Sequence, residues 1–509
     1  MAVSDDGSIL LRTARGAGWV IAWRMATRLM GLVSTLILVR LMAPEEFGLV
    51  ALAAAFAVAL DVCLALGVED QIIRAEAPTR SLYDTAFTIN LLRGAVVGGL
   101  VALSAAPAAR FFGDPQLEDV LFALAISALL AGLANIGVAD FRRNLQFQRE
   151  FMLQIVPRLA GIAVTIGLAF LLRTHWALVG GIFVNRFGVV VMSYALHPFR
   201  ARLSLSAWRE LAGISAWSWA LSFASVLKDR SESLVIGRVL GTTAIGHYAV
   251  GLEIATLPST ELVDPICRAC MPGFAASRRA GEDGGGADYL RILALLAMLT
   301  LPAGLGISLV AAPVVALAFG QAWLEAVPVV IVLGIGSVLT PLGNVSGAML
   351  NAHARLSQLL GISVAIAVLR IVLLVVLTPG LGVTGAALAV TGAVVAEHLS
   401  TVFFAFRLLR LRLVRLGGIL WRPALAAGLM TLLLWVAGLG WATAPASSAA
   451  AARELAPAVL LGAGSYAAAL FGLWTLAGRP PGAEADMLGL LHRVAARLRV
   501  RIRQNLPAG

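Results

Sequence analysis

The sequence predicts an all-α polytopic membrane protein, on the basis of its composition, the length of its apolar segments and the placement of its arginines. Of the 509 residues, 60% are hydrophobic and 13% are charged, whereas an ordinary soluble domain carries about 25% charged residues. A helix needs about 20 mostly apolar residues to cross a bilayer. Windows of this length recur between short polar breaks along the whole chain, which indicates many membrane spans.

Fourteen windows are expected to form transmembrane helices, with boundaries that hydropathy defines only to within several residues. Twelve or thirteen spans are the alternative. The predicted spans cover residues 18–40, 47–67, 84–106, 117–139, 152–172, 176–196, 211–238, 244–264, 290–312, 323–349, 356–377, 382–405, 417–440 and 455–477.

The arginines alternate in density between successive loops, as in inserted proteins whose Lys and Arg residues accumulate on the cytoplasmic side. With the N-terminus inside, 26 of the 39 basic residues lie in predicted cytoplasmic segments or at the span ends that adjoin them, and 5 lie in outside loops or at the adjoining span ends. This pattern predicts that both termini are cytoplasmic. The net charge of +11 then reflects topology and contact with anionic lipid. Nucleic acid is not expected as a partner, because every basic cluster lies beside a span.

A weak internal repeat suggests that the chain is duplicated. The segment RLMAPEEFG at residues 40–48 resembles RVLGTTAIG at 238–246, and Trp19 matches Trp217 at the same offset of 198 residues. An even number of predicted spans separates the two copies, so both would enter the membrane in the same orientation. The copies would then be related by a pseudo-two-fold axis along the membrane normal.

The predicted organisation is two six-helix lobes followed by two additional transmembrane helices. The boundaries are 1–197 for the N-terminal lobe, 198–208 for an inter-lobe linker, 209–406 for the C-terminal lobe, 407–478 for the two additional helices and 479–509 for a basic cytoplasmic tail. Within that tail, apolar residues beginning at Met487 form one helical stripe surrounded by arginines. This pattern favours an amphipathic helix on the anionic leaflet over a merely solvated tail.

Charged residues inside predicted spans are the candidates for function, because Arg, Lys or Asp at a helix centre costs roughly 2.5–3.5 kcal/mol on insertion scales. In the seventh span, Lys228, Asp229, Arg230 and Glu232 form a cluster that the repeat places near the membrane midplane. We expect this cluster to line a cavity. The alternative is a structural pair between Lys228 and Glu232 nearer the surface.

The first, second and eighth spans carry charge as well. Arg24 and Arg28 share one face of the first span, although Arg24 is close enough to the inner end to reach the interface. Asp61 and Glu253 interrupt otherwise apolar stretches. Both are candidates for ion coupling or gating, together with the two acidic residues of the seventh span. The alternative for both is an ion pair with Arg24, Arg28 or Lys228.

Three further charges are weaker candidates, namely Arg93, Arg370 and Glu397, because single buried charges more often form packing ion pairs. Cys267 and Cys270 have metal-like spacing but lack a second pair of ligands, which favours inert thiols. The sequence therefore predicts no metal, no cofactor and no catalytic residue.

Taken together, these features resemble the bacterial polysaccharide flippases, which are the O-antigen and exopolysaccharide exporters of the multidrug/oligosaccharidyl-lipid/polysaccharide exporter superfamily. The resemblance covers nearly the whole chain. It is carried by the charged opening helix, the turn RLMAPEEFGLVALA, Asp61, the cytoplasmic segment FRRNLQFQREF and the fourteen-span plan. It implies alternating-access export of an undecaprenyl-pyrophosphate-linked oligosaccharide across the bacterial inner membrane, with a polysaccharide polymerase and a chain-length regulator as partners.

The resemblance also implies that the first, second, seventh and eighth helices line the central cavity. Arg24, Arg28, Lys228 and Arg230 would then bind the pyrophosphate, whose charge requires cationic partners in an apolar environment. A lipid II flippase or a multidrug antiporter of the same superfamily is the alternative. A membrane-bound glycosyl polymerase or ligase is disfavoured, because the predicted outside loops are too short to hold a catalytic domain.

Overall fold

The computed structural model describes residues 30–64, 67–211, 216–260, 285–442 and 447–489, with Thr27 and Pro445 as isolated positions. The predicted features outside the described residues are Arg24, Arg28, Cys267, Cys270 and the tail beyond residue 489. All regular elements in the described part are helical, which confirms the predicted fold class. The chain divides into two compact units, residues 1–249 and 250–509.

Unit 1 consists of long helices that pack side by side and are joined by short turns. Its helices are α1 Met30–Leu41, α2 Pro44–Cys63, α3 Val68–Arg74, α4 Arg80–Phe112, α5 Gln116–Gly132, α6 Ala139–Arg143, α7 Phe147–Leu172, α8 Trp176–Leu196, α9 Trp208–Leu211, α10 Ala216–Leu240 and α11 Thr242–Pro258, of which α11 continues into unit 2.

Glycines bring α4 and α5 into backbone contact. A Cβ atom on Gly94 would lie 2.9 Å from the Cα atom of Gly132, and one on Gly98 would lie 2.8 Å from the carbonyl oxygen of Ala125. Larger residues would therefore separate these helices. Close approach through small residues is typical of membrane helices, which associate through van der Waals packing.

The fourth predicted span is broken, whereas the sequence predicted one continuous helix over 117–139. Helix α5 ends at Gly132, and the chain becomes helical again at Ile136 in a short 3₁₀ turn that leads into α6. The helical segment Ile136–Arg143 is bent by 65° relative to α5. Asn135 caps the new start, since its Oδ1 accepts a hydrogen bond from the amide of Gly137 at 3.0 Å. Hydropathy did not reveal this break, because a capping side chain changes the direction of the chain without changing its apolar character.

The extended segment after α8 is hydrogen-bonded to the first turns of α4. The amide of Arg202 donates to Oδ1 of Asp84 at 2.8 Å, and the amide of Ser204 donates to Oγ1 of Thr88 at 3.0 Å. The backbone of the predicted linker 198–208 is thus hydrogen-bonded to side chains of unit 1.

The two copies of the sequence repeat begin their helices at equivalent positions. Helix α2 starts at Pro44 and α11 starts at Thr242, which is the offset of 198 residues seen in the sequence. Helix α10 packs against α2, and a Cβ atom on Gly237 of α10 would lie 2.9 Å from a methyl group of Leu52. The helix that precedes one copy therefore packs against the other copy.

Unit 2 completes the chain with a second set of long helices. They are α12 Gly285–Leu309, α13 Ala311–Ala318, α14 Val327–Gly336, α15 Thr340–Ala352, α16 Leu356–Leu408, α17 Val414–Val436, α18 Ser448–Leu476 and a final helical segment, α19, at residues 483–489. Short 3₁₀ turns at Gln321–Ala326 and Ser337–Leu339 join α13, α14 and α15.

Helix α16 is a pair of antiparallel helices that meet at Gly382, where the backbone has φ 61° and ψ −142°. Only glycine adopts this conformation readily. A Cβ atom on Gly392 would lie 3.4 Å from the side chain of Leu373, although a straight helix would separate these residues by about 28 Å. The chain therefore doubles back, as the separate predicted spans 356–377 and 382–405 require.

A helix lies in each predicted span, although most of residues 18–29 and all of residues 212–215 and 261–264 lie outside the described residues. In the described part, nine helices are long and apolar enough to cross a membrane, and α5 with α6 forms one further bent pair. Helix α10 is not among them, and it contains the charged run Lys228–Glu232. The chain is therefore a multi-pass membrane protein, while the number fourteen stays a prediction.

The core of unit 2 includes part of the C-terminal tail. Met298, Met430 and Tyr466 form an apolar cluster among α12, α17 and α18, and Ala483 of α19 belongs to the same cluster. Met487, which the sequence placed on a lipid-facing stripe, packs against this cluster. The beginning of the tail is thus docked on the protein, because the protein offers an apolar surface that the sequence pattern could not show.

Candidate functional site

A pocket of about 370 Å³ lies inside unit 1 at the break between α5 and α6. We call it the arginine pocket. It is lined by Gly67, Val68, Glu69, Asn90, Arg93, Ala131, Ala134, Asn135, Ile136, Val138, Arg186, Val189 and Val190. Asn135 and Ile136, where the helix breaks, are among these lining residues, so the break forms part of the pocket wall.

Arg93 lies on the α4 wall of the pocket and forms an ion pair with Asp61 in the last turn of α2. Nη1 of Arg93 donates to Oδ1 of Asp61 at 2.8 Å. This bond uses one of the five N–H donors of the guanidinium group. The sequence offered Arg24, Arg28 or Lys228 as the ionic partner of Asp61, whereas the structure pairs it with Arg93.

Arg186 of α8 lines the same pocket. No described residue forms a hydrogen bond or ion pair with it, and its side chain is exposed. In the sequence, Arg186 is a single charge in a span and does not stand out as a candidate. Arg93 was a candidate on the same ground, as a single charge in a predicted span. Only the packing of α4 and α8 around the α5 break shows that the two arginines share a pocket.

The arrangement of charge suits an anion. Two guanidinium groups converge on walls that are otherwise mainly small or apolar, and guanidinium groups bind phosphate oxygens through paired hydrogen bonds. The acidic residue among the described lining residues, Glu69, lies 3.7 Å from Nη1 of Arg142. Arg142 also forms an ion pair of 2.6 Å with Glu150, so it offsets the charge of Glu69 only in part, whereas Asp61 pairs directly with Arg93. Among the described residues, Arg186 has no ionic partner and is available to a ligand.

The residues of the α10 cluster differ in their exposure. Glu232 is 5% exposed, whereas Asp229 and Arg230 are exposed and Lys228 is half-buried. The hydroxyl of Ser231 donates to the carbonyl oxygen of Lys228 at 2.7 Å. The role of this cluster in lining a cavity therefore stays a prediction.

The remaining predicted site residues lie in unit 2. Glu253 is half-buried in α11, and Arg370 and Glu397 lie on the two antiparallel halves of α16. Arg370 is only 6% exposed, so its side chain faces the interior of the protein and not the lipid. Charged residues of membrane spans usually do so. The structure thus spreads the predicted charges over both units, and the pair of Asp61 with Arg93 joins two of them directly.

Residues 37–328, more than half of the chain, match the family model described as "Polysaccharide biosynthesis protein". The chain belongs to this family. The matched region of this polysaccharide biosynthesis protein includes the entire arginine pocket and the α10 cluster. The predicted resemblance to the polysaccharide branch of the superfamily is thereby confirmed.

Several curated proteins are related to this polysaccharide biosynthesis protein over most of their length. The Escherichia coli (strain K12) "Lipopolysaccharide biosynthesis protein WzxC" is 25% identical over 68% of this chain and 71% of its own. The Rhizobium meliloti (strain 1021) "Succinoglycan biosynthesis transport protein ExoT" is 24% identical over 64% and 67%, respectively. The Bacillus subtilis (strain 168) "Teichuronic acid biosynthesis protein TuaB" is 23% identical over 68% and 73%.

Solved structures share the fold of this polysaccharide biosynthesis protein at low sequence identity. "Lipid II flippase MurJ, inward closed conformation" aligns with a TM-score of 0.72 at 12% identity, covering 90% of this chain and 98% of its own. An inward-facing multidrug resistance MATE family transporter of the MOP superfamily aligns with a TM-score of 0.60 at 16% identity, covering 75% and 94%. These likenesses establish the transporter fold.

Proposed function

We propose that this protein carries a lipid-linked oligosaccharide across the membrane during the synthesis of a surface polysaccharide, such as O-antigen or an exopolysaccharide. The family and the relatives named for lipopolysaccharide, succinoglycan and teichuronic acid synthesis support this proposal. One of these relatives is named as a transport protein. The fold shared with a lipid II flippase supports movement of a lipid-linked sugar by alternating access.

The observation that carries the proposal is the arginine pocket. A pyrophosphate cannot enter an apolar bundle without cationic partners, because its desolvation would otherwise be too costly. Arg93 and Arg186 supply two such partners beside a broken helix. In this proposal they bind the pyrophosphate of an undecaprenyl carrier, together with Arg24, Arg28, Lys228 and Arg230 of the first and seventh spans.

The acidic residues are proposed to couple transport to an ion gradient or to gate it. Asp61 is the best placed of the four candidates, because it pairs directly with an arginine of the pocket. Protonation of Asp61 would release Arg93 for the substrate, and loss of the proton would restore the pair. Asp229, Glu232 and Glu253 are proposed for the same role, and Arg370 and Glu397 are proposed as structural charges.

The proposed setting is the bacterial inner membrane, with both termini in the cytoplasm and the substrate moving from the cytoplasmic to the periplasmic leaflet. The arginine distribution supports this orientation. The proposed lobes are residues 1–197 and 209–406, with two further helices over 407–478. The basic tail beyond residue 489 is proposed to lie on the anionic leaflet, and a polymerase and chain-length regulator are proposed partners. Transport, not catalysis, is the proposed activity, in keeping with the transporter fold.

Export of surface polysaccharide tests the pocket. Arg93→Gln and Arg186→Gln should each reduce export about tenfold or more, because a hydrogen bond to a charged group is worth about 1.5–3 kcal/mol. Lipid-linked oligosaccharide should accumulate at the same time. Arg110→Gln is the matched control, since Arg110 lies at the end of α4, where its Nε contacts a backbone carbonyl.

Wild-type export by both pocket variants at normal protein levels would remove the arginine pocket from the proposal. Arg28→Ala, Lys228→Ala and Arg230→Ala test the first and seventh spans in the same assay.

Asp61→Asn should export with reduced dependence on the ion gradient, and Glu253→Gln tests the same role in α11. An unchanged gradient dependence in both would exclude these carboxylates as coupling sites.

A further inference from the structure

A second cavity, of about 300 Å³, lies in unit 2 where the tail docks. We call it the tail cavity. It is lined by Ala287, Leu290, Arg291, Ala294, Met298, Ile419, Arg422, Pro423, Pro481, Gly482, Ala483 and Glu484. Its size is at the lower end of the range for small-ligand pockets, about 300–1,000 Å³. Nothing in the proposed transport cycle uses it.

A buried ion pair forms the deep end of the tail cavity. Arg422 of α17 is 9% exposed and Glu484 of α19 is 3% exposed, and Nε of the arginine lies 3.3 Å from Oε1 of the glutamate. This contact is an ion pair without hydrogen-bonding geometry, and neither Nε nor Nη1 of Arg422 donates a hydrogen bond to an acceptor in the described part of the chain. Buried guanidinium donors are costly to leave without a hydrogen bond. A ligand with an acceptor atom at this end of the cavity would therefore be stabilised by Arg422.

A second, exposed ion pair lies at the rim of the tail cavity. Arg291 of α12 forms a bidentate contact with the carboxylate of Asp486. Asp288, one turn earlier, also interacts electrostatically with Arg291. Two arginines and three carboxylates, those of Glu484, Asp486 and Asp288, therefore lie at or near the tail cavity in the described part of the chain.

The presence of both positive and negative side chains at the tail cavity determines which kind of ligand fits. A net anion would gain from Arg422 and Arg291 but would lie against buried Glu484, and a net cation would meet the opposite conflict. A zwitterion places each of its charges against the opposite charge of the protein. Its negative part must offer several oxygen acceptors to the unsatisfied donors of Arg422, as a phosphate does.

The position of the tail cavity indicates that the zwitterion belongs to a lipid. Arg291 lies about 9 Å from the start of α12, and Arg422 lies about 12 Å from the start of α17, so both lie in the first half of a helix long and apolar enough to span a membrane. Leu290, Met298 and Ile419 give the cavity an apolar wall. A charged headgroup attached to an apolar body matches this combination.

We propose that the tail cavity binds a phospholipid whose headgroup carries a phosphate and a primary ammonium group, as in phosphatidylethanolamine. The phosphate accepts hydrogen bonds from Arg422 and Arg291, and the ammonium group donates to Glu484. Binding at this position holds α19 against α12 and α17. The inference does not depend on the transported substrate.

Lipid binding to the purified full-length protein in detergent tests the proposal. Phosphatidylethanolamine should bind about tenfold more tightly than phosphatidylcholine, because the quaternary ammonium group of the latter cannot donate a hydrogen bond to Glu484. It should also bind more tightly than phosphatidylglycerol, which has no ammonium group. Free phosphoethanolamine is the fourth ligand, and weak binding of it shows that the apolar body contributes. Native mass spectrometry measures all four.

Equal binding of the three phospholipids, or stronger binding of phosphatidylglycerol, would overturn the proposal. Strong binding of free phosphoethanolamine would overturn the assignment to a lipid. Arg291→Gln should weaken binding of all three phospholipids, and Glu484→Gln should remove the preference for phosphatidylethanolamine over phosphatidylcholine. Arg412→Gln, an exposed arginine outside the cavity lining, should change neither. If Glu484→Gln does not fold, Arg291→Gln decides alone, and unchanged lipid binding by it overturns the proposal.

Discussion

Gly48 of α2 and Gly246 of α11 each lie against the backbone at the start of the other's helix. A Cβ atom on Gly48 would overlap the carbonyl oxygen of Thr242 and would lie 2.9 Å from the amide nitrogen of Gly246. A Cβ atom on Gly246 would overlap the carbonyl oxygen of Pro44. The contact is therefore reciprocal, and both of its glycine–carbonyl pairs respect the offset of 198 residues. A two-fold axis between two similar copies produces such a contact.

Gly48→Ala and Gly246→Ala should each lower thermal stability in detergent and impair export. The added methyl group must push the two helix starts apart, and overpacking of this kind costs typically about 1–3 kcal/mol. Because both substitutions disturb one contact, the double variant should lose less than the sum of the two single losses. Melting curves of the purified proteins measure this.

Gly99→Ala is the control for these variants. Gly99 is a helical glycine of α4, and a Cβ atom added there would have no neighbour within 4 Å. Alanine at this position should therefore leave stability unchanged or raise it by up to about 1 kcal/mol. Full stability of Gly48→Ala and Gly246→Ala would show that α2 and α11 are not held in this contact.

The repeat could be found from the sequence in part because Gly48 and Gly246 match, and the structure gives both the same reason to be glycine, since a Cβ atom at either position would overlap a backbone carbonyl. The helices themselves were predictable from apolar length alone. The arginine pocket was not, since it depends on the break at Asn135 and on the packing of α4 beside α8. Hydropathy analysis places Arg93 and Arg186 in apolar spans, but it does not predict which helices pack against each other.

Asn135 is expected to be essential for the shape of the arginine pocket. It is 1% exposed, its Nδ2 donates to the carbonyl oxygen of Phe199 at 2.8 Å, and its Oδ1 accepts from the amide of Gly137. Asn135→Ala should destabilise the protein by about 1–3 kcal/mol, because both backbone partners would be left unsatisfied in a buried place.

The exposed Asn144 provides the control, and Asn144→Ala should have little effect. Proteolysis after residue 197 provides a second readout, since loss of the Asn135 contact should make the extended segment after α8 more accessible to protease. Equal melting temperatures and equal protease resistance of the two variants would argue against a role of Asn135 in holding this segment.

His197, just beyond the end of α8, should make stability depend on pH. Burial lowers the pKa of His197 below its usual value of 6.5, in opposition to the nearby carboxylate of Asp140. Its Nδ1 accepts a hydrogen bond from the amide of Phe199 at 3.2 Å, which protonation of that nitrogen would abolish. The unfolded chain therefore binds this proton more readily, and stability should fall as the pH falls below about 6.5.

Melting temperatures of the wild type and of His197→Gln at pH 7.5 and pH 5.0 measure this effect. The variant should lose less stability on acidification, since it has no imidazole to protonate at this position. An identical loss in the two proteins would assign the acid sensitivity to other groups.

The two ion pairs of the tail should differ strongly in their effect on stability. Glu484→Ala should destabilise the protein by about 3–5 kcal/mol, because it leaves the guanidinium group of Arg422 buried without a counter-charge. Arg422→Met in the Glu484→Ala background should recover much of this loss, since the uncompensated charge is then removed. Asp486→Ala should change the melting temperature little, because its pair with Arg291 is exposed to solvent and screened by it. Similar losses for Glu484→Ala and Asp486→Ala would show that burial does not distinguish the two pairs.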